Sequence, residues 1–85
     1  MEIPQRKEGL HVREIEGQTV ILDSENERMH TLNETAAFVF EAIDGRHTVE
    51  EISEALRERF EVSAEIAAED TRRLVQQFAD LQLVV

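Results

Sequence analysis

The run from Thr19 to Gly45, TVILDSENERMHTLNETAAFVFEAIDG, constrains the fold more than any other part of the chain. Thr19 to Asp23 is β-branched and apolar up to its closing Asp, the pattern of a strand. Ser24 to Glu27 supplies a turn, with Asn26 the residue suited to a left-handed backbone. Arg28 to Leu32 returns as the next strand. It places Arg28, His30 and Leu32 on one face, and Met29 and Thr31 on the other. Leu32 is expected to face inward, because a helix follows at once. Asn33 is a good N-cap, and Glu34 sits where the helix dipole favours negative charge. Glu34 to Ile43 is apolar almost all round, so this helix should be central and buried. Asp44-Gly45 should end it through the usual glycine C-terminal geometry. A hairpin feeding directly into a buried helix leaves a sheet edge beside helices, which suits holding another chain better than doing chemistry.

The flanking segments complete the pattern. Met1 to Gly9 is polar, aperiodic and contains the only Pro, so it reads as a flexible N-terminal tail before a domain at 10–85. Leu10 to Ile15 is strand-like, with Leu10 and Val12 in alternation, and Glu16-Gly17-Gln18 is a turn. Thr48-Val49-Glu50-Glu51 has capping-box spacing. The helix after it carries Val49, Ile52, Leu56 and Phe60 on one stripe. Ser63 caps a third helix, in which Ala67, Thr71, Leu74, Phe78 and Leu81 recur at core spacing. Ile66, Asp70, Arg73 and Gln77 lie along a flank of that stripe. The order β-β-β-α-α-α predicts an α+β fold, winged helix-turn-helix-like, with a three-stranded antiparallel sheet followed by three helices.

Charge narrows the function. Nineteen Asp and Glu against nine Lys and Arg give a net charge of -10. Nucleic-acid binding draws much of its affinity from phosphates neutralised by Lys and Arg. A winged-helix DNA-binding regulator would share this architecture, but the acidity argues against it and against any nucleic-acid partner. The chain has no Cys, which excludes disulfides and thiolate metal sites. His11, His30 and His47 fall in different elements, and the three glycines are isolated, so neither a helical metal pair nor a phosphate loop is present. Ser24, Ser53 and Ser63 are turn, helix-surface and cap residues without a nucleophile signature. These features predict a non-catalytic protein with no cofactor and no metal. The N-terminus lacks the apolar stretch of a signal peptide, and no apolar run approaches the roughly 20 residues of a membrane span. A soluble cytoplasmic protein without a membrane partner is the expectation.

The combination of Val20-Ile21-Leu22-Asp23, Met29-His30-Thr31-Leu32-Asn33-Glu34-Thr35-Ala36-Ala37, Asp44-Gly45, Thr48-Val49-Glu50-Glu51-Ile52 and Leu81-x-Leu83 resembles the PqqD-like family. The resemblance runs from about Val12 to Val85. It departs at Glu25-Asn26-Glu27, where the common pattern has Gly after Asn. Members of this family are RiPP recognition elements, named for ribosomally synthesised and post-translationally modified peptides. The resemblance implies a peptide-binding domain that takes the leader of a precursor peptide as an added strand, in a groove between the third strand and third helix. Carried over by position, the peptide-binding residues are Arg28, Met29, His30, Thr31 and Leu32 on the strand. On the helix they are Ile66, Asp70, Arg73, Leu74 and Gln77. The implied partners are the leader and a leader peptidase or modifying enzyme of the same pathway. A lasso-peptide pathway is favoured. A radical-SAM pathway such as pyrroloquinoline quinone biosynthesis, with this chain as its peptide chaperone, is the alternative.

Overall fold

The computed structural model describes residues 3–85. Strands β1 (Leu10–Ile15), β2 (Gln18–Asp23) and β3 (Arg28–Leu32) form one antiparallel sheet in the order β1-β2-β3. Helices α1 (Glu34–Ala42), α2 (Val49–Phe60) and α3 (Ala64–Asp80) follow, in the expected α+β order. None of these helices is long and apolar enough to cross a membrane.

The first hairpin is closed by Glu16 and Gly17, both at positive φ (52° and 79°). Two such residues make a type I′ turn, whose twist matches that of the strands it joins. In the second hairpin the left-handed residue is Glu27 (φ 53°), not Asn26 as expected. Asn26 is fixed instead by Asp23, whose carboxylate accepts its backbone N–H at 3.3 Å and its side-chain amide at 2.9 Å. That clamp moves the left-handed position one residue along.

Each helix starts as its sequence dictates. Asn33 Oδ1 accepts the Ala36 N–H at 2.8 Å, Thr48 and Glu51 form a reciprocal capping box, and Ser63 Oγ accepts the Ile66 N–H at 3.2 Å. The end of α1 differs from expectation. Helix α1 stops at Ala42, and the Ile43 N–H bonds the Phe40 carbonyl at 3.2 Å. Ile43 is fully buried, so the chain leaves the helix to seat that side chain before Gly45 is reached. Gly45 then serves a separate bend, in which Asp44 Oδ1 accepts the Arg46 N–H at 2.9 Å. The core is built from Ile21 of the sheet, Val39 and Phe40 of α1, Ile52 and Leu56 of α2, and Ala67, Leu74 and Phe78 of α3. Phe40 meets the Phe78 ring edge-on, with centroids 5.2 Å apart.

The segment expected to be a flexible tail is largely docked. Pro4 is buried, the Lys7 N–H bonds the Leu83 carbonyl at 3.0 Å, and the Val85 N–H bonds the Gln5 carbonyl at 2.8 Å. Lys7 Nζ lies 3.0 Å from Asp23 Oδ2, whose side chain is fully buried. The order comes from backbone pairing with Leu83–Val85 and from neutralising a buried carboxylate, neither of which leaves an apolar period in the sequence. Met1 and Glu2 of that expected tail lie outside the described residues.

Asp23 should therefore govern part of the acid response. The Asn26 side-chain hydrogen bond holds its carboxyl below the ordinary 3.8, Lys7 adds to this, and burial opposes both. A depressed folded pKa gives stabilisation that is present above the unfolded value and is lost as pH falls through the folded value. Asp23→Asn should be less stable than the parent at pH 7 and lose less stability between pH 5 and pH 2. Urea unfolding at several pH values checks this, and an unchanged slope would remove Asp23 from the acid response.

Candidate functional site

β3 is an edge strand, paired among the described residues with β2 alone. A two-residue hairpin loop makes its flanking pair, Ile15 and Gln18, hydrogen-bonded, and bonded and non-bonded pairs alternate along an antiparallel ladder. Val20 and Leu22 of β2 therefore bond to β1, and Thr19, Ile21 and Asp23 bond to Leu32, His30 and Arg28 of β3. The backbone N–H and C=O groups of Met29 and Thr31 are left pointing out of the sheet.

Opposite that edge stands α3. Helix α3 packs on α1 and α2, yet none of its Cα atoms comes within 8 Å of a Cα in β3. The gap is an open groove of about 620 Å³, walled by Met29 to Asn33 on one side and by Arg73, Leu74, Gln77, Phe78, Asp80 and Leu81 on the other. Thr35 and Ala36, from the first turn of α1, close the side next to Leu32. Its lining is apolar where Leu74 and Phe78 are buried and Leu32 and Leu81 half-buried. Polar groups sit at intervals along it. Arg73 and Asp80 are two helical turns apart and of opposite charge. Asp80 Oδ1 accepts a hydrogen bond from Gln76 Nε2 at 3.0 Å. His30 Nε2 is buried without a hydrogen-bond partner among the described residues.

Of the residues expected at this site, Met29, His30, Thr31, Leu32, Arg73, Leu74 and Gln77 are brought together. Arg28, Ile66 and Asp70 do not line the groove. Arg28 pairs with Asp23 at the hairpin end, and Ile66 is half exposed in the first turn of α3. Asp70 accepts from Arg73 Nη2 at 3.3 Å, the ordinary surface pairing of charges three residues apart. The groove follows the C-terminal half of α3, and a helical stripe gives the side of a helix without giving which turns face a strand. Phe78 and Leu81 were legible only as core, and they do both jobs. Asn33, Thr35 and Ala36 enter because α1 begins the moment β3 ends, a junction visible in the sequence. Asp80 had no signal beyond its position seven residues after Arg73.

What this arrangement can do is bind an extended chain. It has unpaired strand donors and acceptors on one wall, an apolar surface for alternate side chains, and a helix opposite. Among the described residues no cluster of His, Asp and Glu is placed to hold a metal ion.

The profile of the family described as Coenzyme PQQ synthesis protein D (PqqD) matches residues 18–84. A curated relative, the PqqA binding protein of Rhizobium meliloti (strain 1021), is 33% identical over 70 residues, covering 82% of this chain and 69% of that protein. Three solved structures share the fold at lower identity. Lasso peptide synthetase B1 complexed with the leader peptide superposes with a TM-score of 0.86, at 20% identity and 99% coverage of each chain. TbiB1 in complex with the TbiA(beta) leader peptide gives 0.83, at 16% identity, with 94% and 93% covered. The PqqD truncation of Methylobacterium extorquens PqqCD, described as a stand-alone RiPP recognition element, gives 0.76 at 26% identity, with 96% of this chain and 87% of that chain covered.

Proposed function

This chain belongs to the PqqD family, and on that premise we propose that it binds the leader segment of a ribosomally made precursor peptide as a fourth strand beside β3. It then delivers that peptide to a modifying enzyme or leader peptidase and carries out no chemistry itself. The observation that carries this reading is the outward-facing edge of β3 standing across an open groove from α3. A leader strand would bond to Met29 and Thr31 through its backbone. Alternate leader side chains would then fall into the groove, against Leu32 and Leu74, with Arg73 and Gln77 contacting polar groups at the rim. Asp70 acts only through Arg73 in this reading, and Arg28 and Ile66 take no part. One apolar anchor contributes about 1.5 to 3 kcal/mol. Two or three anchors, less the cost of ordering a flexible peptide, give a dissociation constant on the order of 0.1 to 10 µM.

Two leader classes fit. The overall shape is nearer the two leader-peptide complexes, one of them a lasso peptide synthetase B1, with TM-scores of 0.86 and 0.83 against 0.76 for the PqqD truncation. The sequence is nearer the PqqA binding protein, at 33% identity. Calorimetric titration with one synthetic leader of each class separates them, since only the cognate leader should bind in the micromolar range or tighter. Hydrogen exchange with the cognate leader tests the binding mode. The Met29 and Thr31 amides should gain protection, while those of His30 and Leu32, already bonded to β2, and those of β1 change little. Protection on β1 instead, or none on β3, would move the site. Tight, salt-sensitive binding of duplex DNA in place of either leader would favour the winged-helix regulator.

A further inference from the structure

The sheet has a second face, turned away from the helices, and its composition differs from the rest of the chain. Ile21 lies in the core, so its neighbours Val20 and Leu22 face the other way. Val20 is only 5% exposed, yet it stands outside the core cluster. Register places Ile15, 48% exposed, and Met29, 65% exposed, on this same outer face, with half-buried Leu22 directly beside Met29. Arg13, His11, Gln18 and Thr31 complete it. None of its strand positions holds Asp or Glu, in a chain where 19 of 85 residues are acidic. An apolar strip with one fixed positive charge is thus presented by a strongly acidic protein.

We infer that this outer face docks the enzyme that receives the leader, and that the enzyme meets it with apolar side chains flanked by carboxylates. The inference rests on the leader-binding reading and adds its partner surface. Charge selects the occupant. A second copy packed on this face would offer Arg13 no carboxylate, because the face holds none, whereas carboxylates on an enzyme opposite Arg13 are attracted. Continuity with the groove supplies the second argument. Residues directly opposite one another in a sheet send their side chains to the same face. Leader residues paired with Met29 and Thr31 would therefore widen the outer face, while their neighbours enter the groove. Three short strands offer less than the roughly 800 Å² per partner of a typical stable interface, and the leader strand provides the missing width. Leader and enzyme then strengthen each other's binding, and reciprocally so.

The test uses the full chain, its leader as a synthetic peptide, and the maturation enzyme encoded beside the precursor. Ile15→Glu and Arg13→Glu alter the face on β1, the strand farthest from the leader edge. Both variants should keep their circular dichroism and bind leader within twofold of the parent. Their affinity for the enzyme, measured with leader saturating, should fall at least tenfold. Omitting the leader should weaken the parent's enzyme binding by a similar factor. Unchanged enzyme affinity in both folded variants would overturn the inference. So would a parent dimer in sedimentation that Ile15→Glu splits, which would assign the face to a second copy. A parent that binds no leader but loses direct enzyme binding on Ile15→Glu would retain the docking face while the leader reading fails.

Discussion

Thr31→Pro should abolish leader binding in a domain that still folds. The Thr31 N–H points out of the sheet, so proline there removes no bond of the existing ladder, and edge strands tolerate proline for that reason. The residue before it, His30, is already extended, as a pre-proline residue prefers. For the incoming strand the change is severe. One donor is lost, the leader carbonyl that it would have met is left unsatisfied at about 1 to 3 kcal/mol, and the ring occupies the approach path. A loss of about 3 kcal/mol corresponds to a weakening of more than a hundredfold. Thr31→Val keeps the N–H and should bind within a few fold of the parent. Calorimetry on both variants, with circular dichroism to establish folding, decides the matter. Proline at 31 with parental affinity would show that the leader does not pair at this edge.

Phe40→Ala should come close to unfolding the protein. Phe40 is fully buried in the last turn of α1, edge-on to Phe78, with the Arg6 guanidinium 5.3 Å from its ring centroid. Truncating a buried Phe to Ala costs about 3 to 5 kcal/mol. A domain of this size has roughly 4 to 13 kcal/mol in total, and each kcal/mol shifts the melting midpoint by about 4 to 8 °C. A fall of at least about 12 °C is expected by thermal circular dichroism. Phe38→Ala makes the comparison. Phe38 is half-buried, with the Phe60 ring 5.6 Å away, and its loss should cost markedly less. Equal midpoints for the two variants would mean that the core is not centred on Phe40.

The two predictions draw on different kinds of information in the chain. Phe40 was legible as core because a helix that is apolar all round has to be enclosed. The caps at Asn33, Thr48 and Ser63 were legible because their hydrogen bonds span three residues and need no tertiary partner. Thr31 was legible as an edge position only through the order of the strands. Features set by distant partners were not. Lys7 beside Asp23, Gln5 beside Val85 and Asp80 on the groove wall depend on segments far apart in sequence, and local patterning does not record them. The left-handed shift from Asn26 to Glu27 leaves no local pattern for a related reason. Residue preference favours Asn, but the Asp23 carboxylate outweighs it by holding both Asn26 donors.

The pairing of Gln5–Lys7 with Leu83–Val85 has a practical corollary for protein engineering. With the first and last segments hydrogen-bonded side by side, this domain can be spliced into a surface loop of a host protein through two short linkers, leaving β3 and α3 free. A truncation that starts at Leu10 would do the opposite. It would strip the Leu83 carbonyl and the Val85 N–H of their partners and strand a buried carboxylate at Asp23 without its cation.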